Sequence, residues 1–409
     1  MIDKETIEFI KNTYMEGNYK INPTAYFYDL AIIGENISKL ERFMPKEISL
    51  YYAMKANSND SILKYIASKF YVKGFEIASS GELEIASSYI NPSRLIFTGP
   101  GKTEYELELA IKNGIRFINI ESVVEAIRIQ KLAEKYNISN VDILIRINLN
   151  YSLAEGMEKM SGCSTKMGID EDDYLTSFNI INKLDRITIK GIHVFAASGV
   201  LDYQALLKSN RYIFDLVKKI EATSIKLEVI DFGGGLGIDY SNNNKVFDVE
   251  KYGEGLTNLI KEYNFHDKEI IMELGTYLVG NAGYYTAKII DIKKTKGYKH
   301  IIIAGGVNHM GLPLEMRRKH PVEIIQMGEK YLYDGQPYIY KEKADISGPL
   351  CMVTDKLCWD EYIESANIGD IVIFRQSGAY CYGEGMHKFL SHMLPDEIII
   401  RGGIENGKI

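Results

Sequence analysis

The chain has 409 residues, 46% of them hydrophobic and 25% charged, with a formal net charge of −7. That is the composition of a globular protein long enough for two domains, or for one large barrel with an appendage. The acidic balance argues against a nucleic-acid partner, and no apolar run is long enough to cross a bilayer.

Cys163, Cys351, Cys358 and Cys381 lack CxxC spacing, so neither a disulfide framework nor a metal site is expected. With no amino-terminal signal pattern, the expected compartment is the reduced cytoplasm. Residues 1–25 open with the polar, helically spaced MIDKETIEFIKNTY and close at Asn22-Pro23. From Tyr26 the pattern becomes regular. AYFYDL is a short apolar piece, and LAIIGENISKLERFM has helical spacing. The next run, ISLYYAMKANSN from Ile48 to Asn59, is apolar and aromatic up to Lys55. An unpaired ammonium inside a strand is costly. At a strand's carboxyl end it can reach into a cleft, where desolvation lowers its pKa and leaves the amine nucleophilic. Taken alone, the stretch favours a boundary lysine reaching for solvent; the remaining chain reverses that preference.

Further strand-like runs follow: VKGFEIAS, RLIFTG, IRFINIES, VDILIRIN, ITIKGIHVFAAS, IKLEVIDFGGG and EIIMELG. Between them lie segments with apolar residues at helical spacing, such as SILKYIASKF and SVVEAIRIQKLAEKYN. This alternation predicts parallel strands joined by helical crossovers, and eight of them predict a closed (β/α)8 TIM barrel over residues 26–279. The long stretch LNYSLAEGMEKMSGCSTKMGID after the fifth strand is expected to be a functional loop or insertion. Chemistry in such barrels gathers at the carboxyl ends of the strands. Those ends carry Lys55, Ser79, Thr98, Glu121, Arg146, Ser198, Gly233 to Gly235, and Glu273. After Tyr277 the rhythm becomes that of antiparallel strands, with Lys296-Gly297 as a turn. A carboxyl-terminal antiparallel β domain, a sandwich or small barrel, is predicted for residues 280–409 together with 1–25.

The triple glycine of VIDFGGGLG follows the seventh strand. Glycine allows positive φ and lets an anion approach the peptide N–H groups, and loops after strands seven and eight are where barrels bind phosphate. Glu273, ending the eighth strand, is suited to a protonated ring nitrogen; the alternative is a salt bridge with Arg146 or Lys166. A lysine for an aldehyde, glycines for a phosphate and an acid for a ring nitrogen together describe a site for pyridoxal 5'-phosphate, whose ring takes up electrons when a bond at a substrate Cα breaks.

On these residues the chain resembles the fold-type III pyridoxal-phosphate decarboxylases, the alanine racemase-like fold of diaminopimelate and ornithine decarboxylases. YYAMKANSN looks like the family's cofactor-lysine motif. GFEIASSGE resembles its second-strand motif and would place Glu76, Ser79 and Glu82 near the site. IRIN supplies Arg146, and GIHVFAASG resembles the sixth-strand motif, with Phe195 and Ser198. DFGGGLG resembles the phosphate loop of Gly233, Gly234 and Gly235. ELGTY resembles the Glu-Pro-Gly-Arg segment, with Glu273, Gly275 and Thr276. SGPLCMVTD resembles the segment donated across a dimer interface, and GAYCYG the one with a phosphate-binding tyrosine, Tyr380. The resemblance implies a homodimer with shared sites, Cys351 as the proton donor to Cα, and Asp355 as a residue that binds the substrate amine or orients its loop. His193 reads equally as a residue behind the site or a satisfied core histidine. Cys163, Cys358 and Cys381 are expected to be structural.

FEIASSGE, GPGKTEYEL, GYYTAKIIDIKKTKG, RRKHPV and FLSH are similar to the branch serving specialised biosynthesis, such as siderophore and antibiotic pathways. Four departures bear on the cofactor and the substrate. Phe195 stands where many relatives stack a histidine on the ring, and Thr276 where they have arginine. Met352 replaces the glutamate that holds a distal ammonium, and the distal-carboxylate arginine is missing from NHMGLP, so free diaminopimelate is not the expected substrate. The expected function is decarboxylation of an amino acid or amino-acid conjugate, with free, citrate-conjugated and carrier-protein-bound substrates all open. The alternatives are a diamino-acid decarboxylase of primary or polyamine metabolism, an amino-acid racemase, and a catalytically silent homologue.

Overall fold

Eight short runs of β-branched, leucine and aromatic residues form the parallel strands of one closed barrel in the computed structural model, which describes residues 2–16, 22–153, 158–159, 161–241, 245–315, 318–328 and 333–402. They are β1 (Ile48–Ala53), β2 (Val72–Ile77), β3 (Leu95–Phe97), β4 (Phe117–Ile120), β5 (Val141–Asn148), β6 (Ile187–His193), β7 (Val229–Asp231) and β8 (Glu269–Leu274). Each pairs in parallel with its neighbours in sequence. The ring closes where β8 returns to β1, with Ile270 opposite Ile48 and Leu274 opposite Tyr52. The strands are near-continuously apolar because a barrel strand is covered on both faces, by helices outside and side chains inside. Tyr51, Ile96, Phe117, Leu144, Val229 and Ile271 form a packed cluster of buried residues from six of the strands.

The intervening helices start where the sequence supplies caps. Asn59, Ser79, Thr103, Ser122, Asp202 and Asp248 each accept a backbone N–H of the helix that follows, and Thr103 with Glu106 completes a capping box. Such caps satisfy donors that have no partner within the helix. Gly191 on β6 has no room for a side chain, since a Cβ there would lie 1.9 Å from the Val229 carbonyl oxygen. Gly191→Ala is therefore expected to destabilise the barrel by roughly 3 kcal/mol. A thermal midpoint unchanged from wild type would contradict this.

By its contacts the chain divides into two units: residues 34–238 with 245–278, which hold the barrel, and residues 1–33, 239–244 and 279–409. In the second unit the strands run in the order Val322–Ile325, Ile371–Arg375, Gly283–Thr295, Tyr298–Ile303, Ile339–Ser347, Lys356–Ala366. The turn at Lys296-Gly297 joins the third and fourth. Most pairs are antiparallel, as expected, but the sheet is mixed. Tyr298–Ile303 runs parallel to Ile339–Ser347, and Thr24–Tyr28 runs parallel to Asp396–Ile399. Thr24–Tyr28 also pairs antiparallel with Gly283–Thr295, so the apolar piece AYFYDL lies with this sheet, and the division falls after Ile33 rather than at Tyr26. The helix Lys4–Glu16 packs Ile10 against Phe27, Tyr284 and Ile373.

Two buried histidines give this unit an acid sensitivity. His309 Nε2 lies 2.7 Å from the Met393 carbonyl, and its Nδ1 lies 3.1 Å from Tyr285 Oη. His320 Nδ1 lies 3.0 Å from the Arg375 carbonyl. Burial holds His309 down to about 4 and His320 down to about 3. The unfolded chain takes up these protons near pH 6.5, so their contribution is complete above that value and is lost as pH falls towards 4. For His309 alone the loss amounts to roughly 3 kcal/mol. Denaturant unfolding from pH 7 to 4.5 should show stability falling with acidification, and His309→Gln should flatten the slope. Equal slopes for both proteins would contradict the assignment.

Candidate active site

Lys55 lies just past β1, in a single 3-10 turn formed by Met54–Ala56. Its Nζ is 3.0 Å from Glu76 Oε1; the lysine side chain is 42% exposed whereas Glu76 is buried. The strand order explains the meeting. Ala53 is opposite Glu76 on one side of β1, and Tyr51 is opposite Glu273 on the other. Lys55 therefore emerges between two acid-bearing strands. A Cβ on Gly275 would lie 2.7 Å from Ala56 Cβ, so the chain after β8 packs tightly on the lysine's turn.

Glu273, His193 and Asp231 come together at the ends of β8, β6 and β7. Their side-chain donor atoms all lie within 4.8 Å of one another, and His193 Nε2 is 3.5 Å from Glu273 Oε2. All three residues are buried. Asp231 Oδ1 accepts the Gly233 N–H at 2.9 Å. Among the described residues, no hydrogen-bond donor reaches Asp231 Oδ2, Glu273 Oε1 or Glu76 Oε2, and neither ring nitrogen of His193 completes a hydrogen bond. Buried polar groups in native proteins are nearly always paired. A cluster left open in this way is shaped for a bound molecule.

The fields within the cluster oppose one another. Burial pushes the Glu76 carboxyl up against the pull of Lys55. Burial also works to raise Glu273, but His193 and Lys55 outweigh it and hold that carboxyl below its ordinary value. Asp231 is pushed far up, by burial first and by the Glu273 charge second. Glu82, whose carboxylate accepts the Ala78 N–H, is raised to about 7, chiefly by burial.

The glycine loop lies between β7 and β8. Gly233 has φ +62° and Gly235 φ +110°, and a Cβ on Gly234 would lie 2.3 Å from the Glu273 carbonyl oxygen. The Gly233 carbonyl accepts the Glu273 N–H at 2.8 Å. The amides of Gly234 and Gly235 have no acceptor among the described residues. The Phe195 ring stands over this loop, 2.5 Å from where a Gly233 Cβ would be. Half-buried Ser198 follows on the segment Ala197–Ser198, which pairs with Glu158–Lys159 of the long insertion. Ala154 to Met157 and Met160 of that insertion lie outside the described residues, as does Arg317 of RRKHPV. Thr276 opens the short helix Thr276–Val279.

Other expected residues have partners that the sequence did not indicate. Arg146 is not the partner of Glu273. It is buried against Glu121, Nη1 to Oε1 2.7 Å, and Glu121 Oε2 also accepts the Gly168 N–H at 2.7 Å. Behind them Lys102 Nζ, almost fully buried, reaches Glu125 Oε1 and the Gly99 and Asn119 carbonyls, each at 2.7 Å. Thr98 accepts the Asn119 side-chain amide at 3.0 Å, and Ser79 caps its helix by accepting the Glu82 N–H.

In the sheet unit, Cys351 is exposed on the loop after Ile339–Ser347. Asp355 is buried, and its two oxygens accept the N–H groups of Val307 and Leu350, both at 2.8 Å. Tyr380 adopts φ +64°. Cys358 and Cys381 are buried free thiols, the former pushed up to about 12 by burial. Asp231 was legible only as the residue before FGGG; its signal was an acid at the end of an otherwise apolar strand.

Comparison with known proteins agrees with this arrangement. The family described as pyridoxal-dependent decarboxylase, pyridoxal binding domain, matches residues 30–280. The chain is 32% identical over 386 residues to the 2-[(L-alanin-3-ylcarbamoyl)methyl]-2-hydroxybutanedioate decarboxylase of Staphylococcus aureus, covering 92% of this chain and 93% of that protein. It is 32% identical over 387 residues to the L-glutamyl-[BtrI acyl-carrier protein] decarboxylase of Niallia circulans, covering 92% and 89%. The solved structure of diaminopimelate decarboxylase from Helicobacter pylori with L-lysine superposes with TM-score 0.83 at 25% identity, covering 95% of this chain and 94% of that one. The chain belongs to the pyridoxal-dependent decarboxylases, and its cofactor is pyridoxal phosphate.

Proposed function

We propose that this enzyme decarboxylates an amino-acid conjugate in specialised metabolism, such as siderophore or antibiotic biosynthesis. The observation that carries the reaction type is the buried acid Glu273, on the strand paired with the one that leads to Lys55. The choice of substrate class rests on the two relatives at 32% identity, whose names specify a conjugated and a carrier-bound amino acid. Met352 and the NHMGLP segment, which lack the groups that would hold a free diamino acid, support the same choice.

The open carboxylate oxygens of Glu273 and Glu76 and the amides of Gly234 and Gly235 fit pyridoxal phosphate. When bound, that cofactor supplies an electron sink for the pair released as the Cα–carboxylate bond breaks. Lys55 is proposed to hold its aldehyde carbon and Glu273 to accept the hydrogen bond of its ring nitrogen. The amides of Gly234 and Gly235, with Gly275 and Thr276, are assigned to its phosphate. Phe195 offers an apolar face to the ring. Glu76 receives the Lys55 ammonium when the lysine is displaced, and Ser198 and Arg146 are proposed as further cofactor-binding residues. In a homodimer, Cys351 would serve the partner's site as proton donor to Cα, on a loop ordered by Asp355. The cytoplasm is the proposed compartment, in keeping with the buried thiols of Cys358 and Cys381.

The test is loss of carbon dioxide, followed by mass spectrometry, from three substrate classes: free diamino acids, citrate-conjugated amino acids and amino acids thioesterified to a carrier protein. A conjugated substrate should turn over fastest. Fastest turnover of free diaminopimelate would overturn the proposal.

A further inference from the structure

We infer that Asp231 is a positioning residue: a neutral carboxylic acid that lends its proton to Glu273 and so fixes the carboxylate facing the cofactor's ring nitrogen. The inference rests on the proposed role of Glu273. Its geometric basis is the parallel pairing of β7 and β8. Asp231 is opposite Ile271, so Asp231 and Glu273 lie on one face, about one pleat apart. One carboxylate oxygen of each lies within 4.8 Å of the other, and among the described residues no donor reaches Asp231 Oδ2 or Glu273 Oε1.

Two buried carboxylates this close disfavour each other's ionisation. The proton has a preferred home. Glu273 faces His193 and the field of Lys55, both of which favour its anion. Asp231 faces Glu273 and Glu76, and has only the Gly233 N–H in its favour. The pair therefore holds one proton, on Asp231. The acid accepts from Gly233 through one oxygen and donates to Glu273 through the other. An asparagine fits the same two contacts, with its carbonyl towards Gly233 and its amide towards Glu273. Alanine keeps neither.

The experiment compares Asp231→Asn, Asp231→Ala and Glu273→Gln as holoenzymes. Infrared difference spectra should show a buried carboxylic-acid carbonyl band in wild type that is lost in Asp231→Asn. Asp231→Asn should keep kcat within about threefold and an unchanged pH profile. Asp231→Ala should lose about ten- to a hundredfold in kcat with little change in KM, and its cofactor absorbance should become pH-dependent near neutrality. If Asp231→Ala does not fold, the band and the asparagine variant still decide the matter. The inference is overturned if the band is missing, or if Asp231→Asn lowers kcat tenfold or more. An unchanged kcat in Glu273→Gln would instead overturn the ring-nitrogen assignment, and the purpose of the pair with it, even where the band is seen.

Discussion

Replacing Lys55 by alanine is expected to lower kcat/KM by about 10⁴-fold or more, the scale of losing a covalent amine from a mechanism that depends on it. The side chain is 42% exposed, so its removal opens no core cavity. Glu76 loses its partner, but burial already favours the protonated form of that carboxyl. It can become neutral where it stands, and the thermal midpoint should move by only a few degrees. Lys55→Arg should fail equally, because a guanidinium keeps the charge near Glu76 and is not a nucleophile. Carbon dioxide release measured alongside the holoenzyme's visible absorbance tests both variants. A Lys55→Ala enzyme with a tenth of wild-type activity would sink the assignment.

The second large effect belongs to Glu273→Gln. The amide nearly preserves volume and still sits next to His193, so folding should be little affected. It cannot accept a ring proton as an anion does. The electron-accepting power of the bound cofactor then falls, and kcat should drop by about 10²- to 10³-fold, comparable to deleting one electrostatic contact at a reacting centre. KM should stay within a few-fold, because the proposed contact of Glu273 is to the cofactor's ring nitrogen and not to the substrate. Loss confined to KM would place Glu273 in substrate binding instead.

Much of the barrel was legible because strands buried on both faces leave an apolar signature, and all eight were placed within a few residues. Strand ends were less legible. The run ITIKGIHVFAAS reads as one strand, yet β6 stops at His193. Phe195 lies beyond it, where the chain turns over Gly233, and apolar character continues through such a turn. AYFYDL falls largely within the residues expected to form the barrel, but it pairs with Gly283–Thr295, some 260 residues away, and periodicity does not encode partners.

At the site, Lys55, Glu76, Glu273 and the glycines follow from motif and strand-end position. The pairing of Arg146 with Glu121, and the buried Lys102–Glu125 contact behind it, do not. Those acids and bases lie on different elements, a strand, a helix and the loops between them, and sequence spacing alone cannot say which meets which. The acid at Asp231 was hidden for another reason. Its significance depends on the Glu273 carboxylate across the adjacent strand.

The most direct test is to reduce the purified holoenzyme with borohydride, digest it, and find the pyridoxyl-bearing peptide by mass spectrometry. The label should lie on the peptide containing Lys55 and should vanish in Lys55→Ala. A label on any other lysine, or none in an active wild-type enzyme, would mean that the amine beside Glu76 and Glu273 is not the one that carries the cofactor.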